Sequence, residues 1–582
     1  IGRISFATPD RDLNNWLSWV TFQPMLRRIY GNSYLPQFDY GRGGKGWRDL
    51  WQDGLALLLS DPDSVRPMLL HNFGGVRIDG SNATIIGRGG AFIADRNNIP
   101  RTWMDHGVWP TYTTLLYVDQ TGDLAFLLRE REYFRDPQIR RCRQRDVRWT
   151  EAYGNQLRAR NPAKRGASGK IYRGTVLEHM LVQNLTAFCN VGAHGLCRLE
   201  GADWNDGLDM AAERGESVAF SAFYAWNLDR LADYLEAMDR GGTHNLLLAK
   251  ELLMLLGPGQ AKRARLEAYL DVVARDVSGQ KSAVRTDELA RDLRAKSRDL
   301  ASRIRRQEWL KAGRGPVFFN SYYDNRGRRT EGRRGGNVRL MLTGQVFPLM
   351  AGIATEEQTD RIIESVRGLL KDPRTGGVRL NTDFGGTQPD LGRAFSFAYG
   401  EKENGAVFSH MAVMYAFALY LRRRSRAGRE VWTALYRMAM DSWTARIFPC
   451  VPEYFNADGR GMYSFLTGSA SWLIYLVLTR VFGIRGELGD LVLDPQLEKP
   501  DFDAKGECAV RTFFAGKPIH VTFVNPDRLS AGRYRVSEVR AGRRRLPMTA
   551  LAGGGVRLAR AGFRAFPSDR DTHLVVRLAQ AR

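Results

Sequence analysis

The chain has 582 residues, 43% hydrophobic and 11% aromatic, which is enough apolar material for a large buried core and excludes a disordered profile. No run of eighteen apolar residues occurs, so a membrane-spanning helix is not expected. The five cysteines (Cys142, Cys189, Cys197, Cys450 and Cys508) lack CxxC spacing, which excludes a zinc site or disulfide framework and fits a reducing, cytoplasmic compartment. Lys and Arg outnumber Asp and Glu by 86 to 63, a net charge of +23, yet the arginine-rich stretches at 135–148, 158–165, 303–306, 326–334, 422–429 and 540–545 are dispersed. None carries aromatic interleaving or a helix-turn-helix, zinc-finger or RNA-recognition pattern, so no nucleic-acid partner is expected and the basicity reads as solvated arginine.

Apolar residues at three-to-four spacing predict helices over 14–28, 50–59, 109–116, 174–188, 219–238, 246–256, 356–371, 406–423 and 431–440, and a nearly all-apolar one over 469–481. The first carries Trp16, Trp19, Val20, Phe22 and Met25, an apolar set that needs a cover. Residues 141–170 read as a long surface loop and 263–309 as a charged, exposed helical excursion. After residue 484, alternation over 517–524, 534–539, 555–558 and 573–578 predicts a small β-sandwich. The whole is a mainly α chain of helices joined by Gly-rich or polar loops, compatible with a helical barrel.

Those loops hold the candidate chemistry. Gly201-Ala-Asp-Trp-Asn-Asp-Gly-Leu-Asp209 sets three carboxylates around Trp204 in a Gly-bracketed turn. Such a Trp can face a sugar ring while an Asp protonates a glycosidic oxygen, although an Asx-rich turn capping its own amides has the same composition. Gly41-Arg-Gly-Gly-Lys-Gly-Trp-Arg-Asp49 offers Arg42, Arg48 and Asp49 from a glycine-rich turn without the GK[ST] of a phosphate-binding P-loop; a flexible basic loop is the plain alternative. Glu403-Asn-Gly-Ala-Val-Phe-Ser-His410 leads into a helix, where a lone His is more often structural. In Tyr463-Ser-Phe-Leu-Thr-Gly-Ser-Ala-Ser-Trp472, Thr467, Gly468 and Ser469 can serve an anion or simply cap the helix.

Taken in order, WRD, ADWNDGLD, ENGAVFSH, and PEYFN with GMYSFLTGSASW resemble the inverting disaccharide and oligosaccharide phosphorylases of glycoside hydrolase family 94 over about residues 10–500. The resemblance implies a linker-like helical segment at 1–35, an (α/α)6 barrel catalytic domain at 36–484 and a C-terminal jelly-roll β-sandwich at 485–582. The family's N-terminal β-sandwich would be missing, so a fragment, a homodimer or a domain supplied elsewhere is expected. Asp206 would be the general acid; Trp204, Arg48, Asp49 and Glu403 would bind the donor sugar; Arg42, His410, Thr467 and Gly468 would bind phosphate. No metal or organic cofactor is implied, inorganic phosphate being a co-substrate.

One acid opposite an anion site is the logic of phosphorolysis, because phosphate needs no base to become a nucleophile. The run around Thr102-Trp-Met-Asp-His-Gly-Val-Trp-Pro110 is similar to the 1,2-β-oligoglucan phosphorylases and points to β-1,2-glucan as substrate, with α-glucose 1-phosphate as product. A cellobiose-type β-1,4 phosphorylase, an inverting (α/α)6 glycoside hydrolase with Glu403 as base, and a non-catalytic carbohydrate-binding module are the alternatives.

Overall fold

The computed structural model describes residues 3–31, 44–94, 101–160, 168–259, 261–311 and 315–581. Its helices in chain order are α1 Arg11–Tyr30, α2 Trp47–Leu58, α3 Pro62–Phe73, α4 Val108–Thr121, α5 Val176–Cys189, α6 Val218–Arg240 and α7 Lys262–Val272. There follow α8 Thr286–Gln307, α9 Thr343–Met350, α10 Glu356–Leu369, α11 Ser409–Leu421, α12 Ser425–Met440, α13 Ser442–Ala445 and α14 Gly468–Leu476.

Two kinds of helix sort themselves by composition. Helices α2, α4, α6, α9, α11 and α14 each pack on the next, and α14 packs back on α2, closing a cycle. Most of their residues are buried, and α9, α11 and α14 have scarcely any polar face; α11, SHMAVMYAFALYL, is buried from Ser409 through Tyr420. A helix apolar all round is stable only when enclosed by others. The second kind is amphipathic: α8 lays Leu289, Ala290, Leu293, Leu300 and Ile304 against the cycle through α6 and turns most of its charges outward, the buried Lys296 excepted, and α12 packs an apolar face against α11 in the same way. Local signals set several starts, such as the capping box of Thr355 and Gln358 on α10 and the Ser217 cap on α6.

Helix α1 packs on α2 and α14. Its apolar set divides: Trp16 and Val20, with Leu17, are buried, whereas Trp19 is 48% and Met25 41% exposed.

Strands concentrate at the C-terminal end. A six-stranded sheet runs Ser5–Ala7, Glu507–Phe514, Lys517–Val524, Thr572–Gln580, Tyr534–Ala541, Arg544–Arg545, antiparallel except where Lys517–Val524 meets Thr572–Gln580. A four-stranded sheet runs Ile484–Glu487, Asp490–Leu493, Val556–Leu558, Thr549–Ala550. Alternate residues Ile519, Val521, Phe523, Leu574, Val576 and Leu578 are buried, the period-two pattern of a sheet with one covered face.

Several expectations need correcting. Residues 246–256 are not a helix: Asn245–Ala249 is a strand paired with Lys281–Arg285, followed by a 3-10 turn over Lys250–Leu255. Leu246 and Leu248 are buried while Leu247 is 59% exposed, so a short leucine run satisfies period two as readily as a helical period. The 263–309 stretch is not an exposed excursion, because α8 contributes a buried face. Within 141–170, Arg141 and Asp146 are buried in ion pairs with Glu200 (2.7 Å) and Arg135 (2.6 Å). Part of the arginine excess is therefore internal rather than solvated, Arg77 with Asp136 at 2.6 Å being another case. Among the described residues no helix is long and apolar enough to cross a membrane, and no His, Cys, Asp and Glu cluster could hold a metal.

Candidate active site

The chemistry-bearing loops all enter the cycle at the N-terminal ends of its helices. Arg48 and Asp49 open α2, Asp105 sits in the turn Met104–Gly107 ahead of α4, and 201–209 precedes α6. Glu403 precedes α11, His410 is in its first turn, and Thr467 caps α14.

Arg48 organises this end. Its Nε and Nη2 donate to Asp105 Oδ2 (2.7 Å) and Oδ1 (3.2 Å), its Nη2 also to the Asp203 carbonyl (2.8 Å), and its Nη1 to Asp206 Oδ1 (2.9 Å). Asp105 is fully buried and also accepts from Trp109 Nε1 at 2.7 Å, so the guanidinium is fixed by a fork it cannot leave. Burial opposes the charge on Arg48, but Asp105 and Asp206 outweigh it and hold the group firmly protonated. Asp206 keeps its side chain 50% exposed and is the carboxylate that faces out of the loop.

The other carboxylates of that loop are committed. Asp203 is buried, accepting from Asn205 N and Ser217 Oγ at 3.0 Å each, and burial lifts its pKa to about 7, with Asp105 adding to the effect. Asp209 pairs with Arg393. Asn205 Oδ1 accepts from Gly207 N at 3.0 Å, so the Asx turns of the plain reading are present too and shape the loop that presents Asp206.

Trp204 is buried edge-on to Phe408 (5.2 Å between ring centroids) and His410 (5.5 Å). A Cβ added to Gly468 would come within 3.2 Å of His410 Cε1, a tight contact, so His410 and Gly468 form one wall. Thr467 Oγ1 accepts from Ser469 N at 3.1 Å, the capping role weighed above. Arg42 lies outside the described residues.

His410 is neutral. Burial, reinforced by Arg27 and Arg48, lowers its pKa to about 3. Gln52 Oε1 accepts from Trp472 Nε1 at 2.8 Å, which identifies it as the oxygen, and it lies 3.0 Å from His410 Nε2. Nε2 therefore carries the proton and Nδ1 is an acceptor. The folded pKa lies below the 6.5 of an ordinary imidazole, so the folded state binds fewer protons than the unfolded one between those values. This contribution is present in full above pH 6.5 and is lost as pH falls toward 3. Denaturant unfolding at pH 7.5 and 5 is expected to show a smaller acid loss for His410→Gln than for the wild type; equal losses would refute the neutral buried imidazole.

Four residues that the sequence reading did not select belong to this site: Arg27, Gln52, Asp105 and Glu453. Asp105 and Glu453 stood inside quoted motifs, TWMDHG and PEYFN, and Gln52 follows Arg48 by one helical turn, which puts both on one face of α2. Burial raises the pKa of Glu453 to about 7, with Asp49, Glu403 and Asp206 contributing against Arg27. Asp49 and Glu403 are likewise raised, first by burial and in part by Asp206. The end of the helical cycle thus gathers Asp206, Asp49, Glu403 and Glu453 within electrostatic reach of one another, beside Arg48, Trp204 and the His410 and Gly468 wall.

The family model described as Glycosyl hydrolase 94 superfamily, catalytic domain, matches residues 167–249 and 280–483. The chain is 24% identical over 523 residues to the cyclic beta-(1,2)-glucan synthase NdvB of Rhizobium meliloti, covering 87% of this chain and 16% of that protein. It is 23% identical over 555 residues to the 3-O-beta-D-glucopyranosyl-beta-D-glucuronide phosphorylase of Paenibacillus borealis, covering 92% and 58%. To the N,N'-diacetylchitobiose phosphorylase of Vibrio proteolyticus it is 22% identical over 523 residues, covering 84% and 54%. The chain spans a sixth of the first relative's length and little more than half of the others'.

Proposed function

The chain belongs to glycoside hydrolase family 94, and from that premise we propose that it catalyses inverting phosphorolysis of β-linked gluco-oligosaccharides, releasing α-glucose 1-phosphate. The observation that carries the reading is the convergence on one end of the helical cycle of an exposed acid, Asp206, held by Arg48, with the wall of His410 and Gly468 at the N-terminus of α14. On this reading the closed cycle with its outer helices is an (α/α)6 barrel and the C-terminal sheets form a jelly-roll type sandwich. The exposed Trp19 and Met25 on α1 support packing of a further domain there.

Asp206 protonates the departing glycosidic oxygen as general acid. Trp204, Arg48, Asp49 and Glu403 hold the donor glucosyl unit. Phosphate sits at the positive end of α14, between Thr467, Gly468 and His410, with Arg42 from the glycine-rich turn. Because His410 Nδ1 accepts, the phosphate oxygen facing it carries a proton, and the unprotonated oxygens remain for attack on the anomeric carbon. One in-line displacement inverts the centre, so a β-linkage yields the α-phosphate without a covalent enzyme intermediate.

Among β-glucans we assign the β-1,2 linkage, supported by the motif around Thr102 to Pro110 and by similarity to a protein named as a cyclic beta-(1,2)-glucan synthase. Incubating β-1,2-, β-1,3- and β-1,4-linked oligoglucans with and without phosphate, followed by proton NMR, tests both levels. Phosphate-dependent α-glucose 1-phosphate from the β-1,2 series is expected. Release of β-glucose 1-phosphate would overturn the mechanism, and faster turnover of cellobiose only the linkage. The second reading, inverting hydrolysis, is favoured by one observation, the nearness of Glu403 and Glu453 to Asp206, either of which could activate water. Undiminished sugar release in phosphate-free buffer would establish it instead.

A further inference from the structure

Arg27 lies on α1, more than a hundred residues before the first segment matched by the family model, yet its guanidinium reaches the site. It is 3% exposed. Its Nε donates to Asp53 Oδ1 (2.7 Å), its Nη2 to Asp49 Oδ1 (3.1 Å) and its Nη1 to the carbonyl of Leu466 (2.7 Å), the residue before Thr467. One turn earlier Gln23 Nε2 donates to the carbonyls of Val451 (3.0 Å) and Phe465 (3.1 Å), and Gln23 Oε1 accepts from Val451 N (3.0 Å). Side chains four apart on one helix face thus hold two successive carbonyls of the loop that leads into α14.

That loop needs holding. Tyr463 and Phe465 have φ of 53° and 67°, the left-handed region that bulky residues avoid. Such residues persist only when the surroundings fix them, and they occur where a site depends on the geometry they enforce. Here the enforced geometry delivers Thr467 and Gly468 to the wall beside His410.

We propose that Arg27 is a positioning residue for anion binding. Its planar fork ties the strained 463–467 loop to Asp49 and Asp53 of α2, which fixes the anion site relative to the donor-sugar site and places a buried positive charge behind it. The inference rests on the phosphorolytic reading for the identity of the anion. A lysine cannot reproduce three divergent donors from one planar group.

Arg27→Lys keeps the charge and loses the fork. The double variant Arg27→Met with Asp53→Asn removes both members of the most buried pair, so that Asp53 is not left as an uncompensated carboxylate, while Asp49 keeps its solvent exposure and the charge of Arg48. Steady-state kinetics are expected to show the phosphate KM raised about tenfold or more in the double variant and less in Arg27→Lys, with a clearly smaller rise in the glucan KM transmitted through Asp49. A role confined to docking α1 would lower Tm and leave both KM values of the folded protein unchanged. That result, or equal rises in both, overturns the proposal. If the wild type shows no phosphate-dependent turnover, the proposed function has failed, and the Arg27 inference is decided by thermal denaturation with and without inorganic phosphate. A phosphate-induced rise in Tm present in the wild type and lost in both variants sustains it; a rise equal in all three, or absent from the wild type, overturns it.

Discussion

If the proposed function holds, Asp206→Asn is expected to lower turnover of an unactivated β-glucan by about a hundredfold to ten-thousandfold, the usual worth of general-acid assistance. The amide keeps the size of the carboxylate and an oxygen for Arg48 Nη1, so thermal stability and Trp204 packing are expected to stay as they are. What it cannot do is deliver a proton to the leaving oxygen. A substrate whose leaving group needs none, such as a glucosyl fluoride, should therefore retain far more of its rate in the variant. Asp203→Asn and Asp209→Asn serve as comparisons. Asp203 is bonded to Ser217 and Asn205 and Asp209 to Arg393, so their loss should appear in stability and loop order rather than in leaving-group dependence. Near-normal turnover by Asp206→Asn on the unactivated glucan, or an Asp209→Asn variant with the same leaving-group dependence, would remove Asp206 from the acid role.

Arg48→Met is expected to be the most damaging single change for stability. It strips the counter-charge from Asp105, which is fully buried, and breaking one side of a buried pair costs about 3–5 kcal/mol. Activity goes as well, because the same guanidinium orients Asp206 and the Asp203 carbonyl. Adding Asp105→Asn separates the two effects: the neutral amide can still accept from Trp109 Nε1, so denaturant unfolding should recover most of the lost stability while turnover stays lost. Recovery of activity in the double variant would show that Arg48 serves only to neutralise Asp105. Absence of a stability loss in Arg48→Met would show that the Asp105 pair is not carried in the folded state as described.

Particular elements show how much was readable beforehand. The helix cores of α2, α6, α11 and α14 are legible as apolar spacing, continuous in the enclosed α11 and α14 and interrupted by a charged face in α6. The C-terminal strands Lys517–Val524 and Thr572–Gln580 were visible because each buries one face only and so alternates cleanly. Leu246 to Leu256 misled because a short leucine run fits both periods, and pairing with Lys281–Arg285 decided between them. Helix α8 misled in the other direction: its charges dominate the composition, while its buried stripe of five small and aliphatic residues gains meaning only when α6 lies against it.

By itself the sequence determined the residue types and order of the site: an acid in an Asx-shaped loop beside a tryptophan, an Arg-Asp pair opening a helix, and a His and a Thr-Gly at two later helix starts. These are local features, set by turn chemistry and helix entry, and local features are written in adjacent residues. The tertiary structure alone decided which carboxylate stays open. Asp203 and Asp209 have the same chemistry as Asp206, and only burial under Ser217 at the start of α6 and pairing with Arg393, 184 residues away, take them out of play. It also decided that His410 is neutral, since its pKa depends on burial and on Arg27 and Arg48, and that Gln52, Asp105, Glu453 and Arg27 belong to the site. Closing six helices into a cycle brings their N-termini to one end, and that closure, not any spacing along the chain, sets which charges face each other.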